Sequence, residues 1–437
     1  MFIIFGFIQI AILAYFVFYL FKINKKPVVI FSNTVIFATI LAIIKHLFIN
    51  YLYHPGYPNS TFLFNPSDRF NDYINMTEAC KFLDPYNSNN FLPSVYFPVS
   101  NLIFYGFYKI SNNQILISML LFTIIFLLGF FILLKMMTNL DLKIKILFFV
   151  SIFISYPVIF SIDRMNLEMY LFLFTLSFIF FYLKKKYFIA IIFLSFAICM
   201  KLYPILFLLL FLQEKNYKAI ITTLVTCFIL TFISLALFKG GIFANINLLF
   251  INLKDFNNDY ASVSGLQHNS SMYGVVKIFF LSIFKYLLNY ENADANNTTN
   301  LLLKIPYFIF VIIYFVAITS YILFIEKTLW KQVFLIITMT ILLPHVSFDY
   351  KLLTIIISIL LFIKNSNNEK HSVFYAVLFA FLLIPNSYFY IFNDVSIGVI
   401  INPIILLIIT FKIVYGNKDL IVNKVSIILN NKRIIFN

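Results

Sequence analysis

Apolar runs long enough, or nearly so, to cross a bilayer recur along the whole chain. They lie at about 1–22, 28–49, 115–134, 146–162, 167–183, 219–238, 304–325, 373–391 and 396–414. Shorter runs at about 187–200, 202–212, 332–344 and 352–364 read as pairs of short or tilted helices. Pro204 and Pro344 fall where such helices break. A soluble core cannot absorb this much apolar length. Hydrophobic residues make up 62% of the 437 and charged residues only 11%, whereas soluble domains are about half apolar and about a quarter charged. The dyad alternation of outer-membrane strands is missing, so the spans are read as helices. The sequence predicts an all-α, polytopic transmembrane bundle of about 11–13 helices, several short or broken, forming one membrane domain over 1–437. Met1 to Phe21 has no basic segment before it and no small-residue cleavage site after it, and is expected as a retained first helix.

The net charge of +15 is read against nucleic-acid binding, because the lysines sit in short loops between apolar runs. Lys22, Lys25, Lys26, Lys135, Lys143, Lys145, Lys184 to Lys186, Lys215, Lys218, Lys327, Lys331, Lys364, Lys370 and the tail with Lys418, Lys424, Lys432 and Arg433 fall on one side if the short pairs cross twice. The positive-inside rule makes that side cytoplasmic and puts the N-terminus outside. The other side receives a long loop at about 50–114, a second at about 239–303, the turn at Asn386 to Asp394, and several polar clusters. An integral, multi-pass protein of a bacterial cytoplasmic membrane is expected, with its active site on the external face and lipids around it. Val99 to Ile110 and a segment at about 274–289 read as interfacial helices. The Asn-rich stretch from Asn289 to Asn300 reads as a loop tip.

The candidate chemistry lies in those external clusters. Asp68 and Asp72 stand four apart, so a helical turn puts them on one face with Arg69 beside them. One of these carboxylates is suited to act as general base on an acceptor hydroxyl, with Arg69 setting its pKa or meeting a phosphate. The plainer alternative makes Asp72 the cap of a helix beginning at Tyr73. In Asp163-Arg164-Met165-Asn166-Leu167-Glu168, charges close to the hydrocarbon are costly and call for a role. Arg164 suits an anionic substrate through bidentate pairing with phosphate, unless Asp163 and Arg164 simply pair with each other. Lys201, in Lys201-Leu202-Tyr203-Pro204, lies opposite the other short-loop lysines. His268 and Asn269, with Ser270 and Ser271, and His345, Asp349 and Tyr350 supply groups for sugar hydroxyls, phosphate or proton transfer. His345 and Asp349, four apart, are also placed to pair.

No metal site is indicated: HExxH and H-x-x-H are missing, and Cys80, Cys199 and Cys227 show no ligand spacing. Neither GxxxxGK[ST], GxSxG nor GxGxxG occurs, so a sugar donor is expected to be lipid-linked, not nucleotide-linked.

Taken in order, these motifs resemble the GT-C membrane glycosyltransferases, and among them glycosyltransferase family 87. Asp72-Tyr73 is similar to the family's aspartate and aromatic residue in the first large external loop, with Asp68 as rival. Asp84-Pro85-Tyr86 and Tyr96-Phe97-Pro98 match its Asp-Pro-Tyr and Tyr-x-Pro elements. Its R-G-N-x-E signature appears as Arg164-Met165-Asn166-Leu167-Glu168, with Met165 in place of the glycine. Its K-x-Y-P appears as Lys201 to Pro204, and its P-x-x-S-x-D-Y as Pro344 to Tyr350. The resemblance implies an enzyme that transfers a sugar, often mannose, from a polyprenyl-phosphate donor to a lipid-linked or glycan acceptor of the cell envelope, with inversion. The lipid-linked donor is then a co-substrate, and no cofactor is expected. Asp72 or Asp68 would be the base, and Arg69, Arg164, Asn166, Glu168, Lys201, Tyr203, His268, Asn269, His345, Asp349 and Tyr350 the binding side chains. A polymerase or ligase of lipid-linked oligosaccharides is the alternative enzyme. A lipid-linked-sugar flippase ranks below both, because charges crowd one face, Gly is scarce and no repeat is visible.

Overall fold

A helix that is apolar all round belongs in lipid or at the centre of a large bundle, and this chain uses both solutions. The computed structural model describes residues 2–23, 26–87, 92–136, 141–261, 265–283, 297–366, 369, 371–386, 389–391 and 395–420. Among these, five helices are long and apolar enough to span: Phe2–Lys22, Pro27–Tyr53, Tyr217–Ala236, Leu303–Phe324 and Gly398–Tyr415. The number rises to seven if each of two bent pairs counts as one span. The first, third and fourth leave most of their apolar surface uncovered by protein, as lipid-facing helices do. The short helices Leu329–Leu342 and Ile355–Asn365 are instead buried over nearly their whole length, against each other and Ser372–Leu383. The protein is an all-α, polytopic membrane bundle.

Proline sets the breaks. Helix Tyr187–Met200 stops before Pro204, which opens a 3-10 turn at Tyr203–Phe207, and Leu329–Leu342 stops before Pro344. The expected span at 146–162 is two helices, Leu142–Phe153 and Tyr156–Arg164, bent by 44° around Pro157 in the second helix's first turn. Helix Pro98–Ile110 turns by 117° into Ile115–Gly129. The run at 373–391 is helical only over Ser372–Leu383. Pro385 holds Ile384 in an extended conformation, and the run ends in a two-stranded antiparallel ribbon, Tyr390–Ile391 with Val395–Ser396. Of the turn at 386–394, residues 387–388 and 392–394 lie outside the described residues. The same holds for 284–289 of the second interfacial segment, whose described part is helix Met272–Ser282. It also holds for 289–296 of the Asn-rich stretch, and Asn297 already begins the helix Asn297–Phe324. Lys25, Lys370, Lys424, Lys432 and Arg433 are likewise outside.

Polar groups gather at the two ends of the bundle. At one end Tyr182 donates to Glu214 (2.8 Å), Gln213 to the carbonyls of Ile322 and Glu326 (2.6 Å each), and Asn417 to Glu326 (3.0 Å). Lys331 pairs there with Glu369 at 3.0 Å. These bonds tie helix ends together and satisfy their carbonyls. The other end carries the first loop, the end of Tyr156–Arg164, and the segments around Lys201, His268 and Asp349.

Candidate active site

The first loop is pinned before it presents any carboxylate. Asn65 accepts from the Ser67 amide (3.1 Å) and starts the 3-10 turn Pro66–Asp68. Phe70 then takes a left-handed conformation, φ 62°, and donates its amide to the Asp163 carbonyl at 2.9 Å. That bond ties the loop to the end of helix Tyr156–Arg164. Helix Asn71–Cys80 follows, with Phe70 as its cap. The capping role weighed for Asp72 is therefore corrected. Asp72 sits in the first turn, where the amide ends favour an anion, and its carboxylate is engaged elsewhere.

Arg164 is what engages it. One guanidinium nitrogen donates to Asp68 Oδ2 (2.7 Å) and to the Asp68 carbonyl (2.8 Å), while the other meets Asp72 Oδ1. The guanidinium also lies 4.4 Å from the centre of the Phe64 ring. Side-chain exposure is 11% for Arg164, 19% for Asp72 and 38% for Asp68, so Asp72 is the more enclosed carboxylate. Asn166 donates to Asp72 Oδ2 (2.6 Å) and to Tyr96 Oη (3.3 Å), and accepts from the Glu168 amide (3.0 Å). Asp163 and Arg164 do not pair. Asp163 takes Arg69 Nε at 3.0 Å, so Arg69 reaches neither Asp68 nor Asp72 as an ion-pair partner. Consecutive helical residues point about 100° apart, which sends the two side chains to different partners.

Met165, where the family pattern has glycine, adopts φ 53° and ψ 43° as the cap that ends the helix. Glycine enters this left-handed region freely and other residues at a cost. The turn reverses the chain so that Arg164, Asn166 and Glu168 all face the cluster.

Glu168 is fully buried. It accepts from Lys201 Nζ at 2.7 Å and from the Tyr203 hydroxyl. Lys201 Nζ is also 5.1 Å from the Tyr96 ring centre and 5.8 Å from that of Tyr350. Burial opposes the charge on Lys201, but Glu168 above all more than offsets it, so its pKa lies above the ordinary lysine value. Ser100 donates to the Met200 carbonyl at 2.7 Å and clamps helix Pro98–Ile110 to this corner.

A third group abuts the first through Phe64, whose ring is 5.6 Å from that of His268. The segments at His268 and Asp349 join by an isolated bridge between Asn269 and Phe348. Asp349 accepts from Ser270 (2.6 Å), Tyr156 (2.9 Å) and Asn402 (3.3 Å), with His268 Nδ1 3.7 Å away. The pairing open to His345 with Asp349 is not formed, because the connecting segment is not helical. The His345 ring lies instead among Tyr273, Tyr307 and Phe308, at 4.9, 4.8 and 6.0 Å. Asn269 is a brace: its amide ties Gly265 and His345 carbonyls and accepts from Ser271 and Ser347 amides.

The fold thus brings together Asp68, Arg69, Asp72, Arg164, Asn166, Glu168, Lys201, Tyr203 and Tyr350, with His268, Asn269 and Asp349 adjoining. Of the predicted residues, His345 turns its side chain away. Asp84-Pro85-Tyr86 is a loop anchor, since buried Tyr86 donates to the Tyr96 carbonyl at 3.0 Å. Sequence reasoning missed two side chains in the cluster, Tyr156 and Lys351, and quoted Tyr96 only as part of Tyr96-Phe97-Pro98, without a binding role. Lys351 had a visible signal, a lysine directly after Tyr350 at the head of an apolar run. Tyr156 had none beyond its aromatic neighbours.

A model of glycosyltransferase family 87 matches residues 95–344, more than half of the chain. The matched range holds Arg164, Asn166, Glu168, Lys201, Tyr203, His268 and Asn269. It excludes Asp68, Asp72 and the stretch from His345 to Lys351. No curated protein matches the chain.

Proposed function

We propose that this chain, which belongs to glycosyltransferase family 87 and is a membrane glycosyltransferase, moves a mannose-like sugar from a polyprenyl-phosphate donor to an acceptor hydroxyl. The acceptor is a lipid-linked sugar or a glycan, and transfer occurs on the external face with inversion in one displacement. The observation that carries this is the setting of Asp72. One of its oxygens is held by Arg164 and the other by Asn166. A carboxylate offers about four lone-pair sites, so two stay open to an incoming hydroxyl while orientation is fixed. Asp72 takes the hydroxyl proton as the oxygen bonds to the anomeric carbon. The bond from that carbon to the phosphate oxygen breaks, and its electron pair leaves with the polyprenyl phosphate. Lys201, with His268 beside the cluster, favours the growing negative charge. This scheme calls for no metal and no cofactor.

Membranes carrying wild type, Asp72→Asn or Asp68→Asn, supplied with synthetic polyprenyl-phosphate mannose and a lipid extract from the native host, test the assignment. Asp72→Asn is expected to lose roughly 10²- to 10⁴-fold in transfer, as removal of a general base does, and Asp68→Asn far less. The reverse order moves the base to Asp68, and full activity in both variants ends the mechanism.

A further inference from the structure

Four cationic side chains stand in the cluster, and three are already matched. Arg69 meets Asp163, Arg164 meets Asp68 and Asp72, and Lys201 meets Glu168. The fourth is Lys351, in the 3-10 turn Asp349–Thr354. It is 8% exposed, and its ammonium lies 4.8 Å from the centre of the Tyr203 ring. Among the described residues it has no carboxylate within ion-pair distance and no hydrogen-bond acceptor. Its surroundings offer no substitute. Glu168, on the helix facing it, accepts from Lys201 and Tyr203 and forms no ion pair with Lys351. Asp349, on its own turn, accepts from Ser270, Tyr156 and Asn402 and likewise forms no ion pair with Lys351. Lys201 adds a second positive charge nearby.

A buried ammonium carries three donors and strongly disfavours an environment that supplies no acceptor. The Tyr203 face recovers only part of that. Lys201 and Lys351 therefore both lean on Glu168, which pairs only with Lys201, and the donors of Lys351 stay unused inside the site. An incoming phosphate monoanion supplies both the charge and the acceptors.

We propose that Lys351, acting with Lys201, is the seat of the donor's phosphate group. The inference rests on the donor assignment above and adds to it the residue that binds the leaving group. In the donor the phosphate is a diester bearing one negative charge. When the bond to the anomeric carbon breaks, the electron pair passes to a phosphate oxygen and the group becomes a monoester approaching two charges, its second pKa being about 6. The charge facing Lys351 and Lys201 doubles as the reaction proceeds, which favours the transition state over the bound donor.

A pH signature follows. Burial pulls the Lys351 pKa down to about 8, Lys201 pulling the same way and Glu168 against it. Lys351 is charged below that pH and loses its charge above it, while Lys201, held above the ordinary value, does not titrate there. Phosphate binding therefore weakens as pH rises through about 8. A bound phosphate raises the Lys351 pKa, so the alkaline fall in kcat lies at higher pH than that in kcat/KM.

The test uses the full chain in detergent, with farnesyl phosphate as probe and farnesol as the uncharged control, binding being read from ligand-induced thermal stabilisation. Wild type is expected to bind farnesyl phosphate at pH 7 and at least tenfold more weakly at pH 9.5, a range in which the probe itself stays dianionic. Lys351→Arg is expected to keep binding at pH 9.5. Lys351→Met is expected to bind at least tenfold more weakly at pH 7, with no further loss on raising the pH. Should the methionine variant fail to fold, wild type and Lys351→Arg still decide the matter. Binding by wild type that is flat from pH 7 to 9.5, or wild-type affinity in a folded Lys351→Met, overturns the inference. Absence of farnesyl phosphate binding by wild type overturns it as well. The donor assignment is judged separately, by transfer from polyprenyl-phosphate mannose, and survives if transfer persists.

Discussion

Glu168→Gln removes one negative charge from a place where two ammonium groups depend on it. Glu168 is fully buried, its carboxylate lies 2.7 Å from Lys201 Nζ, and its charge supports Lys351 as well. Gln preserves the shape and the acceptor for Lys201 but leaves two buried positive charges unanswered. Two estimates of the penalty agree. Removing one partner of a buried pair costs about 3–5 kcal/mol. The alternative is to discharge one lysine at pH 7, about 3.4 units below its unfolded pKa at about 1.36 kcal/mol per unit, which caps the cost at ~4.6 kcal/mol. Glu168→Gln should therefore lose about 3–5 kcal/mol of stability at pH 7. The sign of its pH dependence is fixed. A lysine whose folded pKa is depressed binds fewer protons folded than unfolded, so between that pKa and about 10.4 the variant gains stability as pH rises. Its deficit should shrink steadily from pH 7 to pH 10. Lys201→Met in the same background should recover most of the loss, giving a coupling energy of about 2–3 kcal/mol in the double-mutant cycle. Reversible unfolding in mixed micelles, followed by circular dichroism at several pH values, measures all of this. A deficit under about 1 kcal/mol at pH 7, or one that does not change with pH, would refute the charge accounting.

Two further substitutions probe the turn between the helices. Arg164→Lys keeps the charge but cannot span Asp68 and Asp72 with one planar fork. It should lower kcat/KM for transfer by about 10- to 100-fold, corresponding to about 1.4–2.8 kcal/mol, and activity within twofold of wild type would exclude Arg164 from orienting the base. Met165→Gly relieves a left-handed conformation worth roughly 1–2 kcal/mol but empties a buried site, and truncation of a core methionine costs about 2–5 kcal/mol. A net loss of about 1–3 kcal/mol in the same unfolding assay is expected, and a gain would mean that the Met165 side chain contributes no packing.

Much of this arrangement was legible in the sequence because apolar length, proline and charge act locally. The bundle, its breaks before Pro204 and Pro344, and the gathering of polar clusters at one end all follow from such terms. What failed was any inference that needed the conformation of a short irregular segment. The spacing of His345 and Asp349 implies contact only on a helix, and the segment is not helical. Adjacency of Asp163 and Arg164 suggested a pair, yet a helix end turns neighbours apart. The run at 373–391 read as one span because nothing in its hydropathy marks Pro385 as the end of the helix. Met165 was visible as a departure from the family pattern, but its consequence depends on a backbone angle that methionine does not advertise.

The proposed seat of the phosphate departs from the first reading of the sequence, and the departure has a physical cause. Residue type alone favours Arg164, since guanidinium is the better phosphate fork. The fold commits that fork to Asp68 and Asp72, and a phosphate approaching it would meet two carboxylates that already hold its donors. The cation left over is Lys351, on the far side of a path that runs from Asp72 through Asn166 and Tyr96 to Lys201 and Glu168. That separation matters for the chemistry. A single displacement with inversion needs the acceptor activated on one face of the anomeric carbon and the leaving group received on the other. Asp68 and Asp72 at one end of that path and the ammonium groups of Lys201 and Lys351 at the other supply that polarity. A site with Arg164 at the phosphate would crowd base and leaving group onto one side and leave Lys351 charged with nothing to bind.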